Sequence, residues 1–303
     1  MEWFSQQLIN GLALGAIYAL IALGYTMVSG VLRFINFAHS DVLMLGAFTA
    51  FFLAPAIGKF FPPQSITGAL IVTLLSAIIC AAIGILIELL AYRPLRNRPK
   101  LTVLITAIGV SLFIESTAQH KKVFKSETHS FPQLLPMRDF NFRGLLVNST
   151  DIVIIFTTIT LLAILWFIVR HTKVGTAMRA VSFNMQAAAL MGINVNRIVS
   201  FTFGLGSALA AVAGILYAMR SPSIEPFMGI QPGIHAFIAA VLGGIGNIPG
   251  AALGGIVLGI VETFAGGIPA LSNYRDGIAF ALLILILIFK PAGLLGKVQT
   301  EKV

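Results

Sequence analysis

The chain has 303 residues, of which 57 % are hydrophobic and only 10 % charged. Its mean hydropathy is +0.94. Soluble domains carry roughly 25 % charged residues, so the composition describes an integral membrane protein with no room for a separate soluble domain. The formal net charge of +9 does not mark a nucleic-acid partner, because the basic residues sit in short loops between apolar runs.

A span needs about 20 mainly apolar residues. Such segments run at about 8–29, 42–58, 66–91, 101–118, 150–169, 199–219, 234–266 (interrupted) and 277–289. They are continuous and rich in Leu, Ile, Ala and Gly, without the ten-residue alternation of barrel strands. The predicted fold is therefore all-α: a polytopic transmembrane helix bundle of about 8 spans. Broken or re-entrant segments are expected near 34–41 and 243–250. Residues 1–303 read as a single transmembrane domain with an interior loop at about 170–198. The seven residues before the first run contain no Lys or Arg, unlike a secretory signal, so that run is read as a retained span. Cys80 has no cysteine to pair with and reads as a packing residue.

Sidedness follows from the loops. Arg93, Arg96, Arg98 and Lys100 crowd one short loop without an acid; Arg170, Lys173, Arg179 and Arg197 share another; Lys290, Lys297 and Lys302 lie in the tail. Dense basic loops mark the cytoplasmic face. Parity then puts 120–148 and 220–233 outside, together with the N-terminus if 34–41 does not cross. The 120–148 loop holds Lys121, Lys122, Lys125, Arg138 and Arg143 against Glu127 and Asp139, but these are spread over a longer loop, which the rule weighs less.

Four stretches carry chemistry. In "RFINFAHSDVLMLGAF" (33–48), Asn36, His39, Ser40 and Asp41 lie between apolar runs. Such groups are costly in lipid and persist where they line a cavity or pair with each other; the alternative is an interfacial turn with Asp41 capping the next helix. In "AVLGGIGNIPGAALGG" (240–255), Gly243, Gly244, Gly246, Asn247, Pro249 and Gly250 break a helix. Broken backbone in a membrane is tolerated where protein or a water path satisfies it, and interrupted segments point to transport sites; a tight bend between two packed helices is the other reading. In "IELLAYRPLRNRPK" (87–100), Glu88 and Arg93 suit a local ion pair at a span end. Glu115 and Glu262 also fall in apolar surroundings. In "SFNMQAAALMGINVNRI" (182–198), Asn184 is placed to cap a helix, residues 185–191 favour one, and Gly192 suits its left-handed end. This short helix either presents an Ala surface to another protein or lies on the membrane as a connector. A weaker echo links "GLALGAIYALIALGYTMVSG" (11–30) to "GLGSALAAVAGILYAMRS" (204–221); paired halves are common in transporters.

Gln186-Ala187-Ala188 followed by Gly192 resembles the Glu-Ala-Ala-x-x-x-Gly loop of ABC importer permeases. In order along the chain, "GLALGAIYALIALGYTMVSG", "FINFAHSD", "AYRPLR", "AIGVSLF", "MGINVNRI", "AVLGGIGNIPGA" and "KPAGLLG" resemble one family: the first of the two permeases of high-affinity branched-chain amino acid importers. That resemblance implies a coupling helix (Asn184, Gln186, Ala187, Ala188, Gly192) that docks on a cytoplasmic ATPase. It implies a translocation path that draws on the first two stretches. It also implies a second homologous permease as heterodimer partner, two ATPase subunits that bind ATP, a periplasmic or extracellular substrate-binding protein, and a multi-pass location in the bacterial cytoplasmic (inner) membrane. The chain departs from the family where Ser40-Asp41 replaces Gly-Glu and where Gln186 replaces Glu, and permeases for urea and amides remain open. No Gly-Lys-Ser/Thr phosphate loop is present, so hydrolysis belongs to a partner, and the chain is read as a transport subunit without an ATPase site or cofactor of its own. No His-Glu-x-x-His and no Gly-x-Ser-x-Gly occurs, so neither a catalytic centre nor a metal site is expected. An ion-coupled carrier is the other transport class, but Asp41, Glu115 and Glu262 are scattered.

Overall fold

The computed structural model describes residues 2–296 except 33, 35, 63, 97 and 143. Arg33, Arg143, Lys297 and Lys302, which entered the sequence reading, lie outside the described residues. Eleven helices are found among those described. They are α1 (Glu2–Leu32), α2 (His39–Ile57), α3 (Ile66–Ile87), α4 (Lys100–Ala118), α5 (Ser149–His171), α6 (Lys173–Phe183), α7 (Met185–Leu190), α8 (Val195–Arg220), α9 (Ile230–Gly243), α10 (Ile248–Gly267) and α11 (Arg275–Phe289). Eight helical stretches are long and apolar enough to span a bilayer, so the chain is a polytopic helical bundle. Two short antiparallel ladders complete it: β1 (His129–Ser130) with β4 (Ser223–Ile224), and β2 (Asp139–Phe142) with β3 (Leu145–Asn148).

Local chemistry sets many of the starts. Ser65, Asn148, Thr172, Asn184, Asn194 and Asn247 each accept a backbone N–H from the first turn of α3, α5, α6, α7, α8 and α10, satisfying a donor that the helix leaves free. Asp41 does not cap α2. The helix begins two residues earlier, the N-cap position is Ala38, and no side chain caps it.

The helix ends gather on two faces. On the N-terminal face, Gln6 bonds both ways with Leu146, Arg220 pairs with Asp151 at 2.7 Å, and Phe48 stacks on Phe124. On the opposite, C-terminal face lie Gly30, Arg170, Arg179 and Gly246 around a shared cleft, together with Arg93 and Arg96. The N-terminus thus lies opposite the densest basic loops, as parity requires. The interrupted run resolves into α9 and α10. Only 14 residues long, α9 rises about 21 Å, short of the ~30 Å apolar core. Its first turn packs on Ser40, and the turn that follows its last residue meets Gly30 through Gly246. The non-helical link 221–229 supplies the rest of that pass.

The halves of the bundle are inverted copies. α1 packs on α8, α10 on α1, α9 on α1, and α9 on α10; correspondingly α3 packs on α8, α2 on α8, and α2 on α3. Exchanging α1, α2, α3 with α8, α9, α10 maps these contacts onto themselves. α1 starts on the N-terminal face and α8 on the other, which is the inverted repeat of many carriers. The echo between 11–30 and 204–221 is therefore the two central helices: Gly11 abuts Gly259 and Ile260, and Gly204 abuts Ala81 and Ile85. The core sits along α1 and α8. In contrast α4, α5 and α11 expose Phe113, Phe156 and Ile288, an apolar exterior fit for lipid or another membrane chain.

Candidate functional site

Between α5 and α8 the chain leaves the bundle on the C-terminal face. Thr172 ends α5 and caps α6, accepting from Gly175 N at 3.1 Å. Asn184 ends α6 and caps α7, accepting from Ala187 N at 3.0 Å. Gly192 has φ +82, and its N–H and that of Ile193 return to Ala189 and Ala188, closing α7 with the left-handed turn expected there. Asn194 then starts α8. Every joint from α5 to α8 is thus made by a cap or a closed turn, so the segment is held by its own hydrogen bonds.

The exposed surface of α7 differs from the expected one. Ala188 is only 4 % exposed; it faces the protein's own chain and is not available to a partner. Gln186, Ala187 and Ala189 face outward. Beyond them Leu190 is 89 % and Met191 83 % exposed, and Phe183 stands out beside them. Exposed apolar residues clustered on a short polar segment mark a surface for another protein or for the membrane.

The start of α8 is clamped to α3 by a network that the sequence showed only in part. Glu88 is fully buried. Its carboxylate accepts from Arg93 Nε and Nη2 at 3.3 and 3.0 Å, from Arg96 Nη2 at 2.6 Å and from Ser200 Oγ at 2.7 Å. Arg96 also donates to Asn196 Oδ1 at 2.9 Å. The carboxylate follows α3 in a π-helical turn, Glu88–Tyr92, which turns Glu88, Tyr92 and Arg93 toward α8 and α2. Ser200 and Asn196 gave no sequence signal, because only the fold brings them to α3.

In the polar stretch at 36–41, Asn36, His39 and Asp41 are buried and Ser40 is half-buried. Asn36 accepts from Tyr92 Oη at 2.6 Å. His39 lies against Gly24 and Tyr25, with ring centroids 4.6 Å apart; its Nε2 has no hydrogen-bond partner, nor has Asp41 Oδ2. Ser40 donates to Phe37 O and packs on Gly229 and Gly233 ahead of and within α9. Ser111 and Glu115 of α4 lie within electrostatic reach of Asp41.

The glycine stretch is a turn at the other end of α9. Gly244 and Gly246 have φ +104 and +88. A side chain at Gly243 meets the backbone of Gly250, and one at Gly244 meets Gly296. The strap 290–296 seals this turn: Leu294 N donates to Leu242 O at 2.8 Å, and Asn247 Nδ2 to Leu295 O at 2.6 Å. Gly243, Gly244 and Gly250 therefore serve close packing, the bend that formed the alternative reading of this stretch. Gly246, Asn247 and Pro249 line a cleft of about 1150 Å³ with Phe34, Leu101 and Arg179. Phe34 in turn packs on Tyr92, ring centroids 5.3 Å apart, which donates to Asn36. α9 and the Phe34–Tyr92–Asn36 chain connect the two polar stretches.

Comparison with known proteins places this geometry. The family model described as "Branched-chain amino acid transport system / permease component" matches residues 7–287. The high-affinity branched-chain amino acid transport system permease protein BraD of Pseudomonas aeruginosa is 41 % identical over 307 residues, covering 99 % of this chain and 98 % of BraD. The permease protein LivH of Escherichia coli K12, of the same description, is 40 % identical over 313 residues with the same coverage. The ribose import permease protein RbsC of Haemophilus influenzae is 33 % identical over 130 residues, 41 % of this chain and 40 % of RbsC.

Proposed function

The chain belongs to the branched-chain amino acid transport system permease family, and from that premise we propose that it forms one half of an importer's membrane channel for aliphatic amino acids. The site geometry supports this reading through one observation above the others: an exposed apolar helix, α7, rooted by caps into α5 and α8, and locked to α3 through Glu88. Energy captured at such a helix has a stiff route into the spans.

In this reading the C-terminal face is cytoplasmic and the membrane is the bacterial inner membrane. Residues 172–194 form the coupling segment. An ATPase subunit covers Phe183, Ala187, Leu190 and Met191, while Asn184 and Gly192 hold α7 in its pose. A coupling of this kind needs an element whose contacts differ between two states; α8 moves with α7 and, through Ser200 and Glu88, carries α3 with it. The path runs along α9, from the buried face of Asn36, His39, Ser40 and Asp41 to the cleft lined by Gly246, Asn247 and Pro249. A second, homologous permease completes it, a substrate-binding protein delivers the amino acid on the N-terminal face, and ATP is held by the ATPase subunits.

The test is reconstitution in proteoliposomes with labelled leucine. The chain with its neighbouring permease, ATPases and binding protein takes up leucine when ATP is supplied, and the chain alone does not. ATP-independent concentrative uptake by the chain alone contradicts the reading.

A further inference from the structure

Each half holds one buried glutamate near the end of its third helix, and the two are satisfied differently. Glu88 at the end of α3 is fully engaged by two arginines and a serine. The matching end of α10, on the N-terminal face, also holds a buried carboxylate, Glu262. Here the only basic group paired with it among the described residues is His235 of α9, and Glu262 Oε2 has no hydrogen-bond partner. A buried oxygen of this kind is expensive to leave unsatisfied.

The surrounding groups converge without bonding tightly to one another. His235 Nδ1 lies 3.8 Å from Glu262 Oε2, and His235 Nε2 lies 3.5 Å from Asp276 Oδ1 of α11. Charged hydrogen bonds run at about 2.7–2.9 Å. With Nε2 as the ligand atom of His235, its 3.5 Å spacing to Asp276 Oδ1 is nearer the edge of a tetrahedron with bonds of about 2.0–2.1 Å, which is about 3.3–3.4 Å. One ligand atom from each of His235, Glu262 and Asp276 lies within 4.8 Å of the other two. Outer partners stand where a metal site needs them. Tyr18 Oη is 3.3 Å from His235 Nδ1; with Nδ1–H donated to that oxygen, Nε2 is the ligand nitrogen. Gln231 donates to Asp276 Oδ2 at 3.4 Å, while Oδ1 faces His235 Nε2 and, at 3.9 Å, Arg275 Nε, a weak pair that a bound ion would replace. Asp276 is half-exposed while the other two ligands are buried, so the set has an entry and an open position for water.

We propose that His235, Glu262 and Asp276 bind a divalent transition-metal ion of the zinc type on the N-terminal face, revising the sequence expectation of no metal site. One imidazole and two carboxylates are the donor set of such ions. The bound ion ties α9, α10 and α11 together, as the Glu88 network ties α3 to α8 on the other face. The inference does not depend on which solute the protein carries.

The experiment is calorimetric titration of Zn²⁺ into the intact, tag-free permease complex, with visible absorption of Co²⁺ as a second readout of coordination. The expected result is one Zn²⁺ per copy of this chain, lost in Glu262→Gln and in Asp276→Asn, about tenfold weaker in Tyr18→Phe, and unchanged in His120→Gln, whose imidazole is exposed elsewhere. If Glu262→Gln does not assemble, the half-exposed Asp276→Asn decides. Absence of Zn²⁺ binding by the parent, or either carboxylate variant binding as the parent does, overturns the assignment.

Discussion

Replacing Glu88 by Gln removes one charge and leaves the shape almost unchanged. Arg93 and Arg96 then face a neutral amide at the junction of α3 and α8. Breaking a buried pair by removing one partner costs about 3–5 kcal/mol, because the remaining charge is left uncompensated. Here the side chains of Arg93 and Arg96 are 34 % and 14 % exposed. Water relieves Arg93 more than Arg96, so the lower end, about 3 kcal/mol, is expected. That corresponds to a melting point lowered by about 6 °C at ~2 °C per kcal/mol for a chain of this size. Ser200→Ala removes two hydrogen bonds to charged groups, one given to Glu88 and one accepted from Arg93, and costs about 1.5–3 kcal/mol, no more than Glu88→Gln. The functional consequence separates a mechanical link from a purely structural one. In the assembled importer Glu88→Gln retains ATPase binding, since α7 is untouched, but leucine moved per ATP hydrolysed falls. The assays are thermal unfolding in detergent and paired uptake and phosphate-release measurements in proteoliposomes. Melting and stoichiometry both equal to the parent's refute the reasoning.

Ala188→Asp, which puts a carboxylate where the chain buries a methyl group, costs a few kcal/mol and disorders the segment itself; limited proteolysis shows new cleavage between α5 and α8, whereas Leu190→Asp shows none. Gly243→Leu yields no folded protein on size-exclusion chromatography, because its side chain collides with the backbone at Gly250. Gly246→Ala, with nothing nearer than Gly30 but φ +88, costs about 1–2 kcal/mol and still elutes as folded protein. Asn36→Ala leaves the buried Tyr92 hydroxyl unpaired and costs about 1–3 kcal/mol, read as a lower melting temperature that Tyr92→Phe in the same chain largely restores.

The spans were legible because apolar length is a strong signal, and the cap at Asn184 because its chemistry is local. The shortness of α9 was not legible. Pro222, Glu225, Pro226 and Gly229 read as an outside loop, and only the contact of Gly229 and Gly233 with Ser40 shows that this link enters the bundle before the helix begins. The α7 helix and its Gly192 turn were readable from seven residues, yet the burial of Ala188 was not, since a six-residue helix has too few turns to reveal its inner face. Glu88 and Arg93 were visible as neighbours in sequence, but Ser200 and Asn196 reach them only once α8 packs on α3. The same limit hid His235 and Asp276 from Glu262: each stands on its own helix, and the inversion of the halves alone makes their meeting intelligible.

The central claim is that α7 is the surface through which an ATPase acts on the spans, and affinity for that subunit tests it most directly. Burying a Leu or Met side chain contributes about 1.5–3 kcal/mol, so Leu190 and Met191 together contribute about 3–6 kcal/mol. At ~1.4 kcal/mol per tenfold, Leu190→Asp combined with Met191→Asp weakens binding of the purified ATPase by at least about 100-fold. Both residues are exposed, so the melting temperature of the permease itself does not change. An ATPase affinity equal to the parent's in that double variant contradicts the account.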